Sequence, residues 1–246
     1  MIAPSANRTS RMMGDLYDHL QRSRLFGSLS DLQTKEIMEG STLRRLPSRS
    51  PIYLPGEQNR SVHLLLSGRA KVSYSNREGK QPILYFVGPD ELIGEQAIFT
   101  GRGSEDHAET IEESLVVSIP TRSLRALVLS DPSFTTSLSE LVSRRRNKTE
   151  NRIRHLLFLS NRDRLSHLLL DLAEQYGREE GNQIDLDIKL SHQDLASFIG
   201  STRETVTVVL GKMQAEGLLN VRRRKITLLD LPTIAKGVDR EMAPTD

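Results

Sequence analysis

The sequence contains no cysteine. That excludes a disulfide framework, a thiolate-held iron–sulfur cluster and any Cys-based zinc site, and it fits a reducing compartment. Long apolar runs are missing too: nothing approaches the roughly 18 residues that suggest a membrane span. The opening MIAPSANRTSRMMGDLYDHL lacks the apolar core of a secretion signal. Nor does one sign of charge dominate. The 34 Lys and Arg nearly balance 32 Asp and Glu, for a formal net charge of +2, so any attraction to nucleic acid must come from local clustering. There is no Gly-rich phosphate loop, no HExxH, no GxSxG elbow and no internal repeat. An enzyme is therefore not expected. What remains is a chain of 246 residues, 37% hydrophobic and 27% charged, long enough for two globular domains. A cytoplasmic protein with no membrane partner is expected.

Patterning divides the chain. Residues 15–41 read as helical pieces broken near Gly27, with Leu16, Leu20, Leu29, Leu32 and Ile37 as the apolar positions and Ser28 or Ser30 as a cap. From 42 to 120, runs such as VHLLLSGRAKVSYS, PILYFVG and SLVVSIP sit between PGEQN, NREGK, VGPDELIG and TGRGSED. Short strands with such turn signals predict an antiparallel barrel or jelly roll. TRSLRALVLSDPSF predicts a helix stopped at Asp131–Pro132, and a long helix without Gly or Pro follows over about 132–159. NRDRLSHLLLDLAEQYG predicts a second amphipathic helix from Ser160 or Asn161 to Gly177. REEGNQIDLDIKL reads as a polar turn and one short strand.

The stretch SHQDLASFIGSTRETVTVVLGKM, residues 191–213, carries the most chemistry. Leu195, Ala196 and Ile199 share one helical face, and Gly200 ends that helix. Val206, Val209, Leu210 and Met213 form the buried stripe of a second helix, leaving Arg203, Glu204, Thr207, Val208 and Gly211 on the opposite face. Two short helices with a Gly turn are the helix-turn-helix unit, whose second helix can enter a major groove with its N-terminal residues at base edges. Arg203 suits guanine and Glu204 suits cytosine. Immediately afterwards, GLLNVRRRKITLLD reads as two strands around a basic turn, Arg222, Arg223, Arg224 and Lys225. Such a turn suits phosphates; the plain alternative is an ordinary solvated turn.

These stretches, with IYLPGEQNRSVHLLLSGRAKVSY and GPDELIGEQAIFTG in the front half, resemble the Crp/Fnr family of bacterial transcription regulators over nearly the whole chain. KLSHQ, IGSTR and TVT are most similar to the family's cyanobacterial nitrogen-regulator branch. The resemblance implies an α+β protein. Its expected parts are a loose N-terminus (1–14), an effector-sensing cyclic-nucleotide-binding-type β-roll (15–131), a dimerisation helix (132–160), a winged helix-turn-helix (161–235) and a flexible tail (236–246). It also implies a homodimer on a two-fold symmetric site in double-stranded DNA, with RNA polymerase as a further partner. By residue, it places Arg203, Glu204, Thr207 and Val208 at bases. Ser191 and Thr202 fall at phosphates or serve only as helix caps. Val208 departs from the family, which commonly has Arg there; an apolar side chain can touch a thymine methyl but not pair with guanine.

The effector is less constrained. Gly94–Glu95 match the start of the family's cyclic-phosphate cassette, but Asp106–His107–Ala108 stand where it has Arg–Ser–Ala. An aspartate repels a phosphate, which argues against cyclic AMP held in the usual way. Residues 144–154, RRRNKTENRIR, hold six basic residues and one acid. They read either as a solvated helix face or as a cationic pocket. The nitrogen-regulator likeness puts Arg145 and Glu150 where 2-oxoglutarate is held, while Thr149 falls at a base-touching position of the cyclic-AMP-binding members. A 2-oxoglutarate-like or nucleotide effector therefore remains open, as does a regulator with no effector and no required cofactor. Haem on His19, His63 or His107 lacks a marking spacing. A sensing module that acts through protein partners rather than DNA is the alternative from a different class.

Overall fold

In a computed structural model, residues 14, 16–57, 60–75, 81–101, 103–181 and 183–240 are described. Residues 1–13 of the expected loose N-terminus and 241–246 of the expected tail lie outside them, as do the whole NREGK turn and Arg102. The chain forms two compact units: residues 1–75 with 85–147, and residues 76–84 with 148–246. This division falls within the long helix that the sequence pattern sets apart as 132–160.

The first unit opens with helix α1 (16–22) and α2 (Asp31–Met38). The Ser30 hydroxyl accepts from the Gln33 amide and the Gln33 side chain closes the capping box, so of the two candidate caps it is Ser30 that starts α2. Eight strands follow: β1 (Thr42–Leu46), β2 (Pro51–Tyr53), β3 (Ser61–Ser67), β4 (Ala70–Tyr74), β5 (Ile83–Val87), β6 (Leu92–Ile93), β7 (Asp106–Thr110) and β8 (Ser114–Pro120), with the short helix α3 (Gln96–Thr100) between β6 and β7. They make two four-stranded sheets, β1-β8-β3-β6 and β2-β7-β4-β5. The interior between the sheets is filled by Ile52, Tyr53, Leu65, Val72, Ala108 and Val116. Alternation explains why β3 is buried on both faces over residues 62–65: Leu65 faces this interior, while Val62 and Leu64 face a second core made with Leu16, Leu20, Phe26 and Phe134.

His63 points into the barrel between those two apolar neighbours. Its Nδ1 lies 3.0 Å from Ser118 Oγ and its ring stacks on Tyr53, centroids 5.7 Å apart. Burial, and then the nearby Arg44 guanidinium, pull the imidazole down to about 4. An unfolded-chain histidine titrates near 6.5. Between these values the unfolded chain holds a proton that the native protein does not, so native stability falls as pH drops through this window. By pH 4.5 the loss from His63 alone is expected to be about 2–3 kcal/mol. Urea unfolding at pH 7 and 4.5 should show a smaller acid loss in His63→Gln than in wild type; equal losses would remove the assignment.

Helix α4 (Thr121–Ser130) ends at Asp131, whose carboxylate accepts from the Phe134 amide and so starts α5 (Pro132–Phe158), with Pro132 at its first position. Only Phe134 and Leu138 are fully buried along its 27 residues. Val142, Ile153, Leu157 and Phe158 are exposed.

In the second unit α6 (Asn161–Tyr176) is capped by Ser160 and ends at Gly177. Next come strands β9 (Gly177–Glu180) and β10 (Gln183–Leu186), helices α7 (His192–Ile199) and α8 (Arg203–Ala215), strands β11 (Leu219–Arg222) and β12 (Lys225–Leu228), and helix α9 (Leu231–Lys236). The strands form one sheet, β11-β12-β10-β9. The single strand expected in REEGNQIDLDIKL is thus a hairpin. Every residue of β9 is exposed, so it carries no apolar alternation to announce it. Arg164 holds the ends of two helices together, donating to Leu159 O, Leu156 O and Ile199 O at 3.0, 2.8 and 3.4 Å.

Candidate nucleic-acid interface and effector site

Local chemistry sets the geometry of α7 and α8. Ser191 caps α7 in a reciprocal box with Asp194, and Gly200 closes it in the left-handed conformation, φ 66°. The Thr202 hydroxyl accepts from the Thr205 amide at 3.1 Å and starts α8. Ser191 and Thr202 are therefore both caps. Val206, Leu210 and Met213 are buried, holding one face of α8 to the core; Val209, expected in that stripe, is only partly buried. Arg203, Glu204, Thr207, Val208 and Gly211 are exposed together. Because residues four apart stack on a helix, Arg203 stands over Thr207 and Glu204 over Val208.

The basic turn is a two-residue hairpin with Arg222 opposite Lys225. Its central residues, Arg223 and Arg224, have φ of 47° and 69°. Asn-Gly is the usual solution for such a turn, and two side chains there cost roughly 1–2 kcal/mol each. Lys225 behaves differently. Its ammonium pairs with Asp185 of β10, which lowers the Asp185 carboxyl and raises the lysine. Lys225 thus anchors the hairpin to the sheet, leaving Arg222, Arg223 and Arg224 as its outward cations.

In the barrel the structure brings Gly94, Glu95 and Arg145 together and leaves Thr149 and Glu150 on exposed surface. Gly94 turns the chain after β6 with φ 79°, and Glu95 follows it into the interior. Glu95 Oε2 lies 2.5 Å from Arg145 Nη1, with the side chains 8% and 17% exposed. Arg145 also donates to the Leu92 carbonyl and lies over the Tyr85 ring, 4.6 Å from its centroid. Burial alone would lower the guanidinium; Glu95, with Tyr85 and Glu91, reverses this and raises it. Sequence reasoning missed Tyr85 and Tyr53. The Tyr53 hydroxyl donates to Asp106 Oδ1 at 2.5 Å and Ser104 donates to the same oxygen at 2.6 Å. Burial and then this bond to Asp106 raise the Tyr53 phenol. Asp106 therefore presents a carboxylate already engaged by two hydroxyls. The carboxylate that faces Arg145 is Glu95 of the same unit. Alternating strand faces could have signalled Tyr53 and Tyr85; nothing local signals the Glu95–Arg145 pairing. Among the described residues, no three His, Cys, Asp or Glu side chains cluster to hold a metal, and no helix is long and apolar enough to cross a membrane.

Residues 43–131 match the cyclic nucleotide-binding domain, and residues 163–236 match the Crp-like helix-turn-helix domain. The chain belongs to the Crp/Fnr family. Among Crp/Fnr relatives it is similar to a CRP-like cAMP-activated global transcriptional regulator of Mycobacterium tuberculosis, 26% identical over 77% of this chain and 85% of that one. It is similar to the global nitrogen regulator of Synechococcus elongatus, 29% identical over 73% and 82%. The c-di-GMP responsive global regulator CLP of Xanthomonas campestris shares the Crp/Fnr fold, with a TM-score of 0.70, 24% identity and coverage of 81% of this chain and 99% of that one. A CRP-family transcriptional regulator of Thermus thermophilus has a TM-score of 0.69 at 25% identity, over 82% and 100%. The protein is thus a transcription regulator with an effector-binding-type β domain and a DNA-binding helix-turn-helix, as the motif order implied.

Proposed function

We propose that the protein is a homodimeric regulator that binds a two-fold symmetric DNA site through α8 and the β11–β12 turn, under control of a small effector in the barrel. The observation that carries this reading is the exposed Arg203–Glu204 pair at the start of α8, on a helix whose opposite face is buried. Arg203, Glu204, Thr207 and Val208 are the base-reading residues. Ser191 and Thr202 contact phosphate only in addition to capping, and Arg222, Arg223 and Arg224 supply the phosphate contacts. The dimer forms along α5, where Val142, Ile153, Leu157 and Phe158 offer apolar surface to a second copy.

Binding of selected duplexes by wild type and Arg203→Ala tests the DNA reading. Without its bidentate bonds to guanine, the variant should bind the selected site about 10- to 100-fold more weakly per half-site and with relaxed sequence choice there. Unchanged sequence preference in the variant would overturn the base-reading role. Neutralising Arg222, Arg223 and Arg224 should instead weaken all duplexes alike and flatten the salt dependence, by roughly 0.9 in log–log slope for each phosphate no longer neutralised.

The effector enters beside the Glu95–Arg145 pair and competes for one of its partners. Relatives are named as cAMP-activated or c-di-GMP responsive, yet Asp106 opposes a cyclic phosphate here, and Arg145 is already neutralised against a dicarboxylate. Calorimetry with cyclic AMP, cyclic di-GMP and 2-oxoglutarate separates these classes. Heat from any of them that persists in Arg145→Ala would place its site elsewhere.

A further inference from the structure

Thr207 is exposed in the second turn of α8, yet its hydroxyl is already engaged. Oγ1 donates to Arg203 O at 2.9 Å, and His192 Nδ1 of α7 lies 2.8 Å from the same oxygen. A hydroxyl has one proton. With that proton on the Arg203 carbonyl, the second bond requires His192 to donate Nδ1–H to the oxygen. Thr207 then has no proton for a guanine, adenine or thymine acceptor. Its methyl is the part of the side chain without a polar tie. Val208 beside it is 57% exposed and has only methyls to offer. One turn further, Gly211 has no side chain, and a Cβ there would meet nothing within 4 Å. The exposed face of α8 therefore reads, from its mouth inward, as two charges, two methyl-bearing side chains and a bare turn that lets the groove come close.

In the major groove the apolar feature a base pair presents is the thymine C5-methyl. We infer that His192 is a positioning residue that holds Thr207 methyl-outward, and that Thr207 and Val208 together read a thymine methyl one helical turn inside the Arg203–Glu204 contacts. This rests on the DNA reading above and adds a specificity to it: a T·A pair recognised by its methyl.

The test replaces each thymine of a selected half-site in turn by deoxyuridine, which removes only the methyl. Wild type should bind about fourfold more weakly per half-site at one such position and equally well at the others. Thr207→Ser keeps the hydroxyl and both its hydrogen bonds, so its thymine-to-uracil ratio should fall to about twofold, and Thr207→Ser with Val208→Ala should bring it to about one. His192→Phe removes the Nδ1 donor, and its ratio should fall while Arg203-dependent binding persists. Equal affinity of wild type for thymine and uracil at every position overturns the inference while leaving the DNA reading intact. A full ratio in Thr207→Ser overturns the methyl contact, and a full ratio in His192→Phe overturns the positioning role. A selection that returns no sequence preference means that the DNA reading itself has failed.

Discussion

Replacing Glu95 by alanine is expected to destabilise the protein by about 3–5 kcal/mol. The reason is the charge left behind. Arg145 is largely withdrawn from water, over Tyr85 and bonded to the Leu92 carbonyl, and Glu95 is its counter-charge. An ion pair taken out of water gains little over an apolar pair of the same shape, but half of one is costly. Glu95→Met with Arg145→Met should therefore lie within about 1–2 kcal/mol of wild type, although each single change costs far more. Urea unfolding of the four proteins measures this directly. A Glu95→Ala protein within about 1 kcal/mol of wild type would show that the pair is solvated. The same series bears on control, because an effector that competes for one partner must compensate for displacing the other.

Gly68→Ala should destabilise the barrel by about 2–5 kcal/mol. Gly68 joins β3 to β4 with φ +85°, a conformation that costs a side chain roughly 1–2 kcal/mol. There is also no room. A Cβ would lie 2.3 Å from Ser114 Oγ, 2.5 Å from Glu113 O and 2.7 Å from Ser114 Cα. Two of these atoms are backbone at the start of β8, which pairs with both β1 and β3, so the clash is relieved only by moving the sheet. Gly56→Ala is the control, since Gly56 has a similar φ of +76° with nothing within 4 Å. It should cost only the conformational part. Equal melting temperatures for the two variants would mean that the β3–β4 turn yields without disturbing β8.

Much of the DNA-binding half was legible because its signals are local. Ser160, Ser191 and Thr202 each act on an amide three residues away, and Gly200 on its own φ. The buried stripe of α8 needs only the helical period. The hairpin at 177–186 was harder because β9 is solvent-exposed throughout and its polar sequence resembles a turn. The effector region resisted for another reason. RRRNKTENRIR shows a concentration of charge but not which charges are already answered.

The sequence by itself determined where helices start and stop, the strand-rich character of residues 42–120 and the charged mouth of α8, since these depend on residues a few positions apart. Only the tertiary structure decided that Arg145 meets Glu95, that Lys225 is tied to Asp185, and that His192 occupies the Thr207 hydroxyl. Each of those pairs joins separate elements. Whether a charge or a hydroxyl remains available to a ligand depends on such partners, and the strand order and helix packing that bring them together are not written in any single window of the chain.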